Sequence, residues 1–342
     1  MAFDEDDHMI KDLINYSLKA HNTFGIDAKC SRFLEYATIA EAQQVAKILR
    51  DSATPYLIIG GGSNLLLTKD FDGIVVHAAV KGVEREGCRL TCGAGEVWDD
   101  VVAQSLDMGL YGAENLSLIP GDVGASAVQN IGAYGVEVKD LISHVFAVEI
   151  ATGENRVFDN EDCQYAYRQS RFKGEWKNRF LITKVEYVFS ETFKPLLDYG
   201  NIRAELERKG IDVPDAHALR QTIIDIRNAK LPDPKLMGNA GSFFMNPIVS
   251  RQQYEQLAAQ YQGMPHYEID QDHVKIPAGW MIDQCGWKGK SLGRAGVHDK
   301  QALVLVNRGG ATGAEIVSLC HQIQKDVKAK FDIDIHPEVN IV

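Results

Sequence analysis

The sequence predicts an α+β protein of at least two domains, and three observations support this. Strand-like apolar runs and helix-like periodicities follow one another along the chain without a repeat. The 342 residues exceed the roughly 100–200 residues that one domain usually takes. Pro232 and Pro234 stiffen the segment 230–235, because proline fixes φ and restricts the residue before it. We therefore expect a domain boundary between Phe189 and Lys235.

The individual elements are predicted from hydrophobic spacing. Apolar residues at helical spacing indicate helices, and short apolar runs indicate strands. An organised region is expected from Asn22 onward. Helices are expected at 39–50, 99–108, 201–209, 250–261 and 312–330. Strands or strand-like apolar runs are expected at 56–59, 65–67, 71–76, 145–150, 156–158, 181–189, 302–306 and 339–342, and a glycine-rich loop region at 279–296.

Composition and charge exclude several protein classes. With 45% hydrophobic and 24% charged residues the chain is neither fibrous nor disordered, and no apolar run approaches the roughly 20 residues of a membrane span. The acidic start, residues 1–7, lacks the basic region of a secretory signal, so we expect a cytoplasmic protein. Its net charge of −11 argues against nucleic-acid and membrane partners. A local basic pocket for a phosphorylated small molecule stays open.

Cysteines and histidines give no sign of a metal or disulfide framework. The six cysteines are dispersed, and Cys88 and Cys92 are the only close pair, which indicates reduced thiols. The ten histidines form no HExxH-like cluster, so we expect no metal site.

Two glycine-rich segments are candidates for ligand binding. The turn at 60–64 (GGGSN) follows an apolar strand, and such a turn can cradle a phosphate or simply reverse the chain. A dinucleotide fingerprint fails because Leu65 occupies the third glycine position. Segment 112–135 contains five glycines in 24 residues and is expected to be a poor helix and a poor strand. Loops of this length are usually functional or disordered, and its apolar content argues against disorder.

Three further candidates are polar residues in unusual surroundings. Arg168 lies in a basic, tyrosine-rich stretch (165–173) of an acidic protein, and a guanidinium there suits a carboxylate or phosphate, or is an ordinary exposed arginine. Ser242 stands between Ala-Gly and two phenylalanines, where it could be a positioned proton donor. No G-x-S-x-G elbow is present, so a hydrolase nucleophile is not indicated. Glu338, at the start of the last strand, would in isolation be a solvated carboxylate.

Together these motifs closely resemble the UDP-N-acetylenolpyruvoylglucosamine reductase (MurB) family. The resemblance runs from Asn22 to Glu338 and rests on motifs in the family's order: IIGGGSNLL, GAENLSLIPG, QNIGAYG, YAYRQSRFK, KLPDPK, NAGSFFMNP, AGWMIDQCGWKG and HPEV. It implies an FAD-binding half in two subdomains, of the vanillyl-alcohol-oxidase (PCMH) type, and a C-terminal α+β substrate-binding domain. The expected division is an acidic extension at 1–18, an FAD-binding domain at 19–190 (subdomains at about 19–80 and 81–190), a connection with a tyrosine loop at 191–235, and the substrate-binding domain at 236–342, whose last strand packs back at the active site.

The resemblance also implies ligands and site residues. The ligands are non-covalent FAD, NADPH as co-substrate and a nucleotide-sugar substrate. The implied FAD contacts are Gly60, Gly61, Gly62, Ser63, Asn64, Leu65, Pro120, Gly121, Gly124, Ala125, Asn130, Gly132, Ala133, Tyr134 and Gly135. The implied substrate contacts are Tyr167, Tyr199, Lys230, Asn246 and Gln301, with Tyr199 in a loop (197–201) that closes over the nucleotide in one subtype of the family.

The implied reaction reduces UDP-N-acetylglucosamine enolpyruvate to UDP-N-acetylmuramate in peptidoglycan precursor synthesis. Hydride from flavin N5 adds to the terminal enolpyruvyl carbon, Ser242 protonates the adjacent carbon, and Arg168 and Glu338 stabilise the charge. Glu338 is either a second acid or an orienter of Arg168. Two alternatives stay open: a flavin oxidase of the same fold, and a non-catalytic nucleotide-sugar-binding protein. We expect a monomer.

Overall fold

Residues 10–342, the part of the chain that the computed structural model describes, contain twenty strands and eight α-helices. The strands are β1 (Lys11–Ser17), β2 (Lys29–Tyr36), β3 (Tyr56–Ile59), β4 (Leu65–Leu66), β5 (Phe71–Ala78), β6 (Val83–Glu86), β7 (Arg89–Gly93), β8 (Gly132–Ala133), β9 (Val136–Glu137), β10 (Ile142–Glu149), β11 (Asn155–Asp159), β12 (Phe180–Val188), β13 (Asn239–Ser242), β14 (Ile248–Ser250), β15 (Tyr267–Glu268), β16 (His273–Lys275), β17 (Ser291–Leu292), β18 (Ala295–Val297), β19 (Val304–Asn307) and β20 (Asn340–Ile341). The helices are α1 (Ile39–Asp51), α2 (Trp98–Asp107), α3 (Val123–Gln129), α4 (Ile202–Arg208), α5 (Ala216–Lys230), α6 (Arg251–Ala258), α7 (Ala278–Gln284) and α8 (Gly313–Phe331), with short 3-10 turns at Lys19–His21, Glu114–Leu116, Val138–Asp140 and Glu161–Cys163.

These elements form two units that are interleaved in sequence. Of the described residues, the first unit takes 10–16, 29–61 and 71–229, and the second takes 17–28, 62–70 and 230–342. The chain therefore enters the second unit twice before it finally continues there from residue 230.

The first unit is built on two sheets. One has the strand order β1-β2-β5-β3, with β2 and β3 each parallel to β5. The other is antiparallel, in the order β11-β10-β12-β7-β6. Helix α1 begins at the N-cap Thr38, whose hydroxyl accepts the Glu41 N–H, and it buries Ala42, Val45, Ala46 and Leu49. Burial of each Val or Leu side chain contributes about 1.5–3 kcal/mol, so packing of this face holds the helix.

The core of the first unit also satisfies its buried polar atoms. Trp98 and Tyr36 are almost fully buried. The Trp98 indole N–H donates to the Leu116 carbonyl at 3.0 Å, and the Tyr36 hydroxyl donates to the Ile182 carbonyl at 2.7 Å. A buried polar group without a partner would cost about 1–3 kcal/mol, so these bonds let large aromatic side chains fill the core.

The second unit contains two small antiparallel sheets, β13-β19-β18-β17 and β14-β16-β15, and the long helix α8. A capping box between Thr312 and Glu315 starts α8, which buries one apolar face, including Ile316, Ile323 and Val327. Strand β20 runs parallel to β4, pairing Asn340 with Leu65 and Ile341 with Leu66. This pairing draws residues 62–70 into the second unit.

The structure differs from the sequence-based division at several points; residues 19–28, expected in the FAD-binding half, and residues 230–235, expected in the connection, both belong to the second unit. The expected extension 1–18 contains β1, which joins the edge of a sheet beside β2; residues 1–9 lie outside the described part of the chain. Residues 62–70, expected in the FAD-binding half, belong to the second unit because β4 pairs with β20. Residues 191–229, expected as a connection, belong to the first unit because α4 and α5 pack together around Ile202 and Ile223.

Two local expectations are also wrong. The loop region expected at 279–296 contains most of α7 together with β17 and the start of β18. Segment 112–135, expected to be a poor helix, contains α3. Gly124 in α3 explains the second error, because a Cβ there would lie 3.0 Å from the Cβ of Ala94. Close packing of the helix requires the residue that lowers its helix propensity. Along residues 10–342, no helix has the length and apolarity of a membrane span.

Candidate active site

The first half of the glycine turn packs against the start of α3. A Cβ on Gly60 would lie 2.9 Å from the Cβ of Ala125, and a Cβ on Gly61 would lie 3.0 Å from Oδ1 of Asp122. Glycine at both positions therefore lets the turn approach α3 to backbone distance. The structure thus brings together two segments predicted to contact FAD.

A charged network supports this turn. His77 on β5 contacts Glu35 at 2.9 Å through Nδ1 and lies 3.7 Å from Asp122 through Nε2. Burial would lower the pKa of His77, but the two carboxylates outweigh it and raise that pKa above its usual value. In its protonated form the imidazole balances the Asp122 carboxylate beside Gly61, where an anionic ligand is expected.

The second half of the turn belongs to the second unit. A Cβ on Gly62 would lie 1.9 Å from the His21 carbonyl oxygen, and its φ is +66°. The Asn64 carbonyl accepts the Asn340 N–H at 3.1 Å, and the Asn64 amide donates to the Glu338 carbonyl at 3.3 Å. Ser63 and Leu65 flank Asn64, with Leu65 in β4. Three predicted FAD contacts are therefore held directly beside the predicted catalytic residue Glu338.

The predicted flavin segment, defined here as residues 130–135, begins at Asn130, a buried asparagine at the end of α3. Asn130 ends the helix in the left-handed region with φ +50°. Its Oδ1 accepts the Lys139 N–H at 3.1 Å, and its Nδ2 donates to the Ala166 carbonyl at 2.9 Å. Asn130 therefore connects the end of α3 to the turn that carries Arg168. Among the other predicted FAD contacts, Pro120 and Gly121 precede α3, and Gly132 and Ala133 form β8.

The guanidinium of Arg168 rests on this flavin segment. Its Nη1 donates to the Asn130 carbonyl at 3.3 Å and its Nη2 to the Gly132 carbonyl at 2.6 Å. The guanidinium carbon lies 5.4 Å from the centre of the Tyr167 ring, a distance typical of a cation–π contact. A Cβ on Gly132 would lie 2.9 Å from Nη1. Arg168 itself has φ +55°, so the surrounding contacts hold it in a conformation that arginine rarely adopts.

Side chains also pin the chain on both sides of Arg168. The Ser170 hydroxyl donates to the Val128 carbonyl at 2.6 Å. The Lys173 ammonium donates to the Gln129 side chain at 2.8 Å and to the Arg168 carbonyl at 2.9 Å. The orientation of Arg168 therefore depends on α3 and the segment after it.

Arg227 on α5 is a site residue that the sequence analysis missed. Burial, and secondarily the nearby charge of Arg168, lower its pKa from the ordinary arginine value, while the Tyr134 hydroxyl and Asp99 act in the opposite direction. Its Nε is shielded from solvent and has no hydrogen-bond partner within residues 10–342. A buried cation with an unused donor is typical of a ligand-binding position. The sequence signal that could have identified Arg227 is its position three residues before Lys230, where the KLPDPK motif begins.

The tyrosine loop, defined here as residues 191–201, reaches the same flavin segment. The Tyr199 ring lies against Gly135, and Tyr134 packs beside the α4–α5 cluster of Leu206, Leu219 and Ile226. The Tyr199 side chain stays 40% exposed. Of the predicted substrate residues, Tyr167 and Tyr199 therefore both lie beside predicted FAD contacts in the first unit.

In the second unit, main-chain bonds bring Ser242 close to Glu338. Ser242 ends β13 with its side chain exposed. The next residue, Phe243, donates its N–H to the Leu303 carbonyl at 2.8 Å, and its carbonyl accepts the Glu338 N–H at 2.8 Å. Ser242 and Glu338, which lie almost a hundred positions apart in the sequence, are thus neighbours across a backbone hydrogen bond.

The remaining predicted substrate residues have distinct settings. Asn246 accepts the Ala278 N–H through Oδ1 at 2.9 Å, and Gln301 accepts the Leu303 N–H through Oε1 at 3.3 Å. Lys230 is the last residue of α5 and is exposed. Both amides have engaged oxygens, so toward a ligand they can act as donors.

Comparison with known proteins decides the family. The family model "UDP-N-acetylenolpyruvoylglucosamine reductase, C-terminal domain" matches residues 233–342, and an FAD binding domain model matches residues 31–159. A UDP-N-acetylenolpyruvoylglucosamine reductase from Bacteroides fragilis is 56% identical over 96% of this chain and 99% of its own length. The chain belongs to the UDP-N-acetylenolpyruvoylglucosamine reductase family. A second member, from Porphyromonas gingivalis, is 46% identical over 96% of this chain and 98% of its own.

One solved structure shares the fold of this chain. The crystal structure of the Thermus caldophilus reductase covers 97% of this chain and 98% of its own with a TM-score of 0.68, and at 21% identity it shows the shared fold. The predicted family, fold class and enzyme class are confirmed. As a member of the UDP-N-acetylenolpyruvoylglucosamine reductase family, the chain is an oxidoreductase of peptidoglycan precursor synthesis and a flavoprotein, with FAD as cofactor and NADPH as co-substrate.

Proposed function

We propose that this chain reduces the enolpyruvyl group of UDP-N-acetylglucosamine enolpyruvate with Arg168, Ser242 and Glu338 as its catalytic residues. The observation that supports this assignment is the Arg168 guanidinium, which two carbonyls of the predicted flavin segment hold in place. FAD, when bound, supplies the hydride that NADPH has delivered to it. The protein's contribution is then to bind the substrate, stabilise charge and deliver one proton.

Arg168 stabilises the negative charge that develops on the substrate carboxylate and the adjacent carbon. A fixed donor aimed at developing charge contributes about 3–4 kcal/mol in comparable sites. The bonds from Arg168 to Asn130 and Gly132 fix the guanidinium before the substrate arrives. Arg227 adds a second positive charge nearby, whereas the charge of Arg220 is already neutralised by Asp99 at 2.7 Å.

Ser242 supplies the proton, and Glu338 acts beside it as a second acid. The backbone hydrogen bond between Phe243 and Glu338 keeps Glu338 beside the end of β13, where Ser242 lies. This arrangement supports proton delivery by Ser242 and Glu338 together, with charge stabilisation left to Arg168.

The substrate's nucleotide sugar is assigned to Tyr167, Tyr199, Lys230, Asn246 and Gln301. Lys230 offers an exposed positive charge, which suits a diphosphate. Asn246 and Gln301 offer amide donors because their oxygens are engaged. The monomeric state and the cytoplasmic location predicted from the sequence stay predictions.

The test separates the two half-reactions. In Ser242→Ala, NADPH should reduce the bound flavin at the wild-type rate, as followed by the flavin absorbance. The nucleotide sugar should then reoxidise this flavin at least about 100-fold more slowly than in the wild type. Ser291→Ala, which removes an exposed hydroxyl from β17, is the matched control. If Ser242→Ala reoxidised at the wild-type rate, the assignment of the proton donor would be wrong. Rapid oxygen consumption without nucleotide sugar would instead favour an oxidase.

A further inference from the structure

Two Tyr-Gly dipeptides of the first unit interlock. One is Tyr134-Gly135 in the predicted flavin segment, and the other is Tyr199-Gly200 in the tyrosine loop. A Cβ on Gly135 would lie 3.2 Å from Cδ2 of the Tyr199 ring, and a Cβ on Gly200 would lie 3.5 Å from Cδ1 of the Tyr134 ring. Each tyrosine therefore packs over the glycine of the other dipeptide.

Both dipeptides favour glycine for its conformation, and at Gly135 the contact with the Tyr199 ring is also tight. Gly135 has φ +82° and Gly200 has φ +66°, in the region that side chains disfavour. Tyr134 also has a positive φ, +48°. The two backbones thus turn where they meet, and each ring contacts the glycine of the other segment.

A single buried amide joins the two segments. Asn115, which is 2% exposed, donates one bond through Nδ2 to the Tyr134 carbonyl at 2.9 Å and another to the Leu196 carbonyl at 3.1 Å. A primary amide carries two N–H donors on one nitrogen, and both are used here. A carboxylate of the same shape has no donor and would place negative charge against two carbonyl oxygens.

Asn115 stands on a rigid base. It lies in the 3-10 turn Glu114–Leu116, and the Glu114 carboxylate accepts the Gly112 N–H at 3.0 Å. The Ser117 hydroxyl donates to the Glu114 carbonyl at 2.6 Å. The base is therefore fixed independently of the tyrosine loop.

The loop also has attachments of its own: the Phe193 ring lies 5.5 Å from the Tyr111 ring and packs with the α4–α5 cluster, and Asp198 pairs with Arg203. At its start, Ser190 pairs with Tyr111 through two backbone bonds of 2.8 and 2.9 Å. Toward its end, Leu197 packs against the α4–α5 cluster. Asn115 acts on the stretch that leads directly into Tyr199.

We propose that Asn115 and the two Tyr-Gly dipeptides form a seat that docks the tyrosine loop on the flavin segment, and that Asn115 is a positioning residue for nucleotide-sugar binding. This inference rests on the proposed assignment of Tyr199 to the nucleotide sugar. Because one amide holds both segments, the loop is placed relative to the flavin segment before the sugar binds. The seat thereby lowers the ordering cost of binding.

The first test replaces the amide by its isosteric acid. Asn115→Asp should weaken nucleotide-sugar binding about tenfold, since two hydrogen bonds of ordinary strength are lost, as measured by titration of the flavin spectrum. It should also increase hydrogen exchange of the amides in residues 191–201, while α5 keeps its protection. Flavin content should stay at the wild-type level and confirm folding.

Asn160→Asp is the matched control. The Asn160 amide also bridges two carbonyls of the first unit, those of Lys139 and Ile142, both at 2.8 Å. Its acid variant loses the same number of bonds away from the tyrosine loop. It should leave both nucleotide-sugar affinity and loop exchange unchanged. Equal losses of nucleotide-sugar affinity and of loop protection in Asn115→Asp and Asn160→Asp would overturn the proposal.

A second variant removes the contact without touching Asn115. Gly135→Ala places a methyl group within 3.2 Å of the Tyr199 ring, so the loop should lose protection in residues 191–201. Gly210→Ala has a similar φ, +70°, and nothing within 4 Å of its Cβ. It controls for backbone strain and should leave loop exchange unchanged.

The outcomes also separate this inference from the proposed function. If Tyr199→Ala binds the nucleotide sugar as tightly as the wild type, the assignment of Tyr199 fails. Loop exchange in Asn115→Asp then still tests the seat, because that measurement needs no ligand. Wild-type loop protection in both Asn115→Asp and Gly135→Ala would disprove the seat itself.

Discussion

Arg168 and Ser242 are placed by different means. Side chains and carbonyls of the flavin segment surround Arg168, which keeps a positive φ against its own preference. Ser242, by contrast, sits at an exposed strand end whose position comes from main-chain bonds of Phe243. The Arg168 guanidinium is therefore positioned by hydrogen bonds of its own side chain, and Ser242 by main-chain bonds of the neighbouring residue.

This difference teaches which substitutions should displace Arg168 and which should displace Ser242. Backbone hydrogen bonds survive most substitutions of neighbouring side chains, so the placement of Ser242 should tolerate them. The placement of Arg168 depends on the absence of a side chain at Gly132, beside its guanidinium, and an added methyl group there should displace the guanidinium. The predictions below test this contrast, beginning with the largest expected effect.

The contrast is sharpest between two glycine-to-alanine variants. A Cβ on Gly132 would lie 2.9 Å from the Arg168 Nη1 and 2.9 Å from the Val136 carbonyl oxygen. We expect Gly132→Ala to lower kcat for nucleotide-sugar reduction about 100-fold, the effect of misplacing one charge-stabilising donor. Steady-state kinetics on FAD-loaded protein measures this.

Gly241→Ala is the counterpart next to Ser242. A Cβ there meets nothing within 4 Å, and the φ of +67° makes alanine cost only about 1 kcal/mol of stability. Its kcat should stay within about twofold of wild type. A loss of turnover in Gly241→Ala as large as in Gly132→Ala would refute the distinction between the two settings.

The second prediction concerns Arg227. A lysine at this position has an ordinary pKa of about 10.4, and the burial and nearby Arg168 charge that lower the pKa of Arg227 should lower it too. Arg227→Lys should therefore lose about tenfold in kcat/KM at pH 7 and lose further activity as the pH rises toward 9.5. Arginine stays charged throughout that range.

Arg220→Lys is the control on the same helix. Its partner Asp99 lies at 2.7 Å, and an adjacent carboxylate favours the charged form of lysine. Its pH profile should parallel that of the wild type. If Arg227→Lys also followed the wild-type profile, Arg227 would have no role in charge stabilisation.

Sequence patterns predicted those elements whose buried residues follow a regular spacing within the element itself. The apolar residues of α1 recur at helical spacing, and β3 matches its predicted bounds, 56–59. Helix α5 was missed although Leu219, Ile223 and Ile226 follow helical spacing. In that case the signal was present in the sequence.

Other features depend on contacts that no local pattern carries. The bond from the Asn64 amide to the Glu338 carbonyl spans 274 positions, and with the β4–β20 pairing it decides that residues 62–70 join the second unit. Motifs carried by the family resemblance still named Arg168, Ser242 and Glu338. Arg227 and Asn115 were missed because their importance comes from burial and from the partners of single atoms.

The smallest expected effect compares a histidine in each unit. The carboxylates of Glu35 and Asp122 raise the pKa of His77, so the folded state binds its proton more tightly than the unfolded state. The resulting stability is complete below the unfolded pKa of about 6.5 and is lost as the pH rises through the higher folded value. Burial lowers the pKa of His298 in the second unit, so its contribution has the opposite sign and is lost as the pH falls below about 6.5.

Two variants measure these opposite slopes. His77→Gln should lower the melting temperature at pH 5.5 by about 2–4 °C, the shift expected for about 1 kcal/mol, and should converge with the wild type near pH 9. The melting temperature of His298→Gln, relative to that of the wild type, should be higher at pH 5.5 than at pH 8. Parallel pH dependence of the melting temperature in the two variants would contradict the contrast. It would mean that the pKa shifts of the two histidines do not have opposite signs. Opposite slopes would extend the contrast from catalysis to stability: charged side-chain partners determine the protonation of His77 in the first unit, whereas burial determines that of His298 in the second.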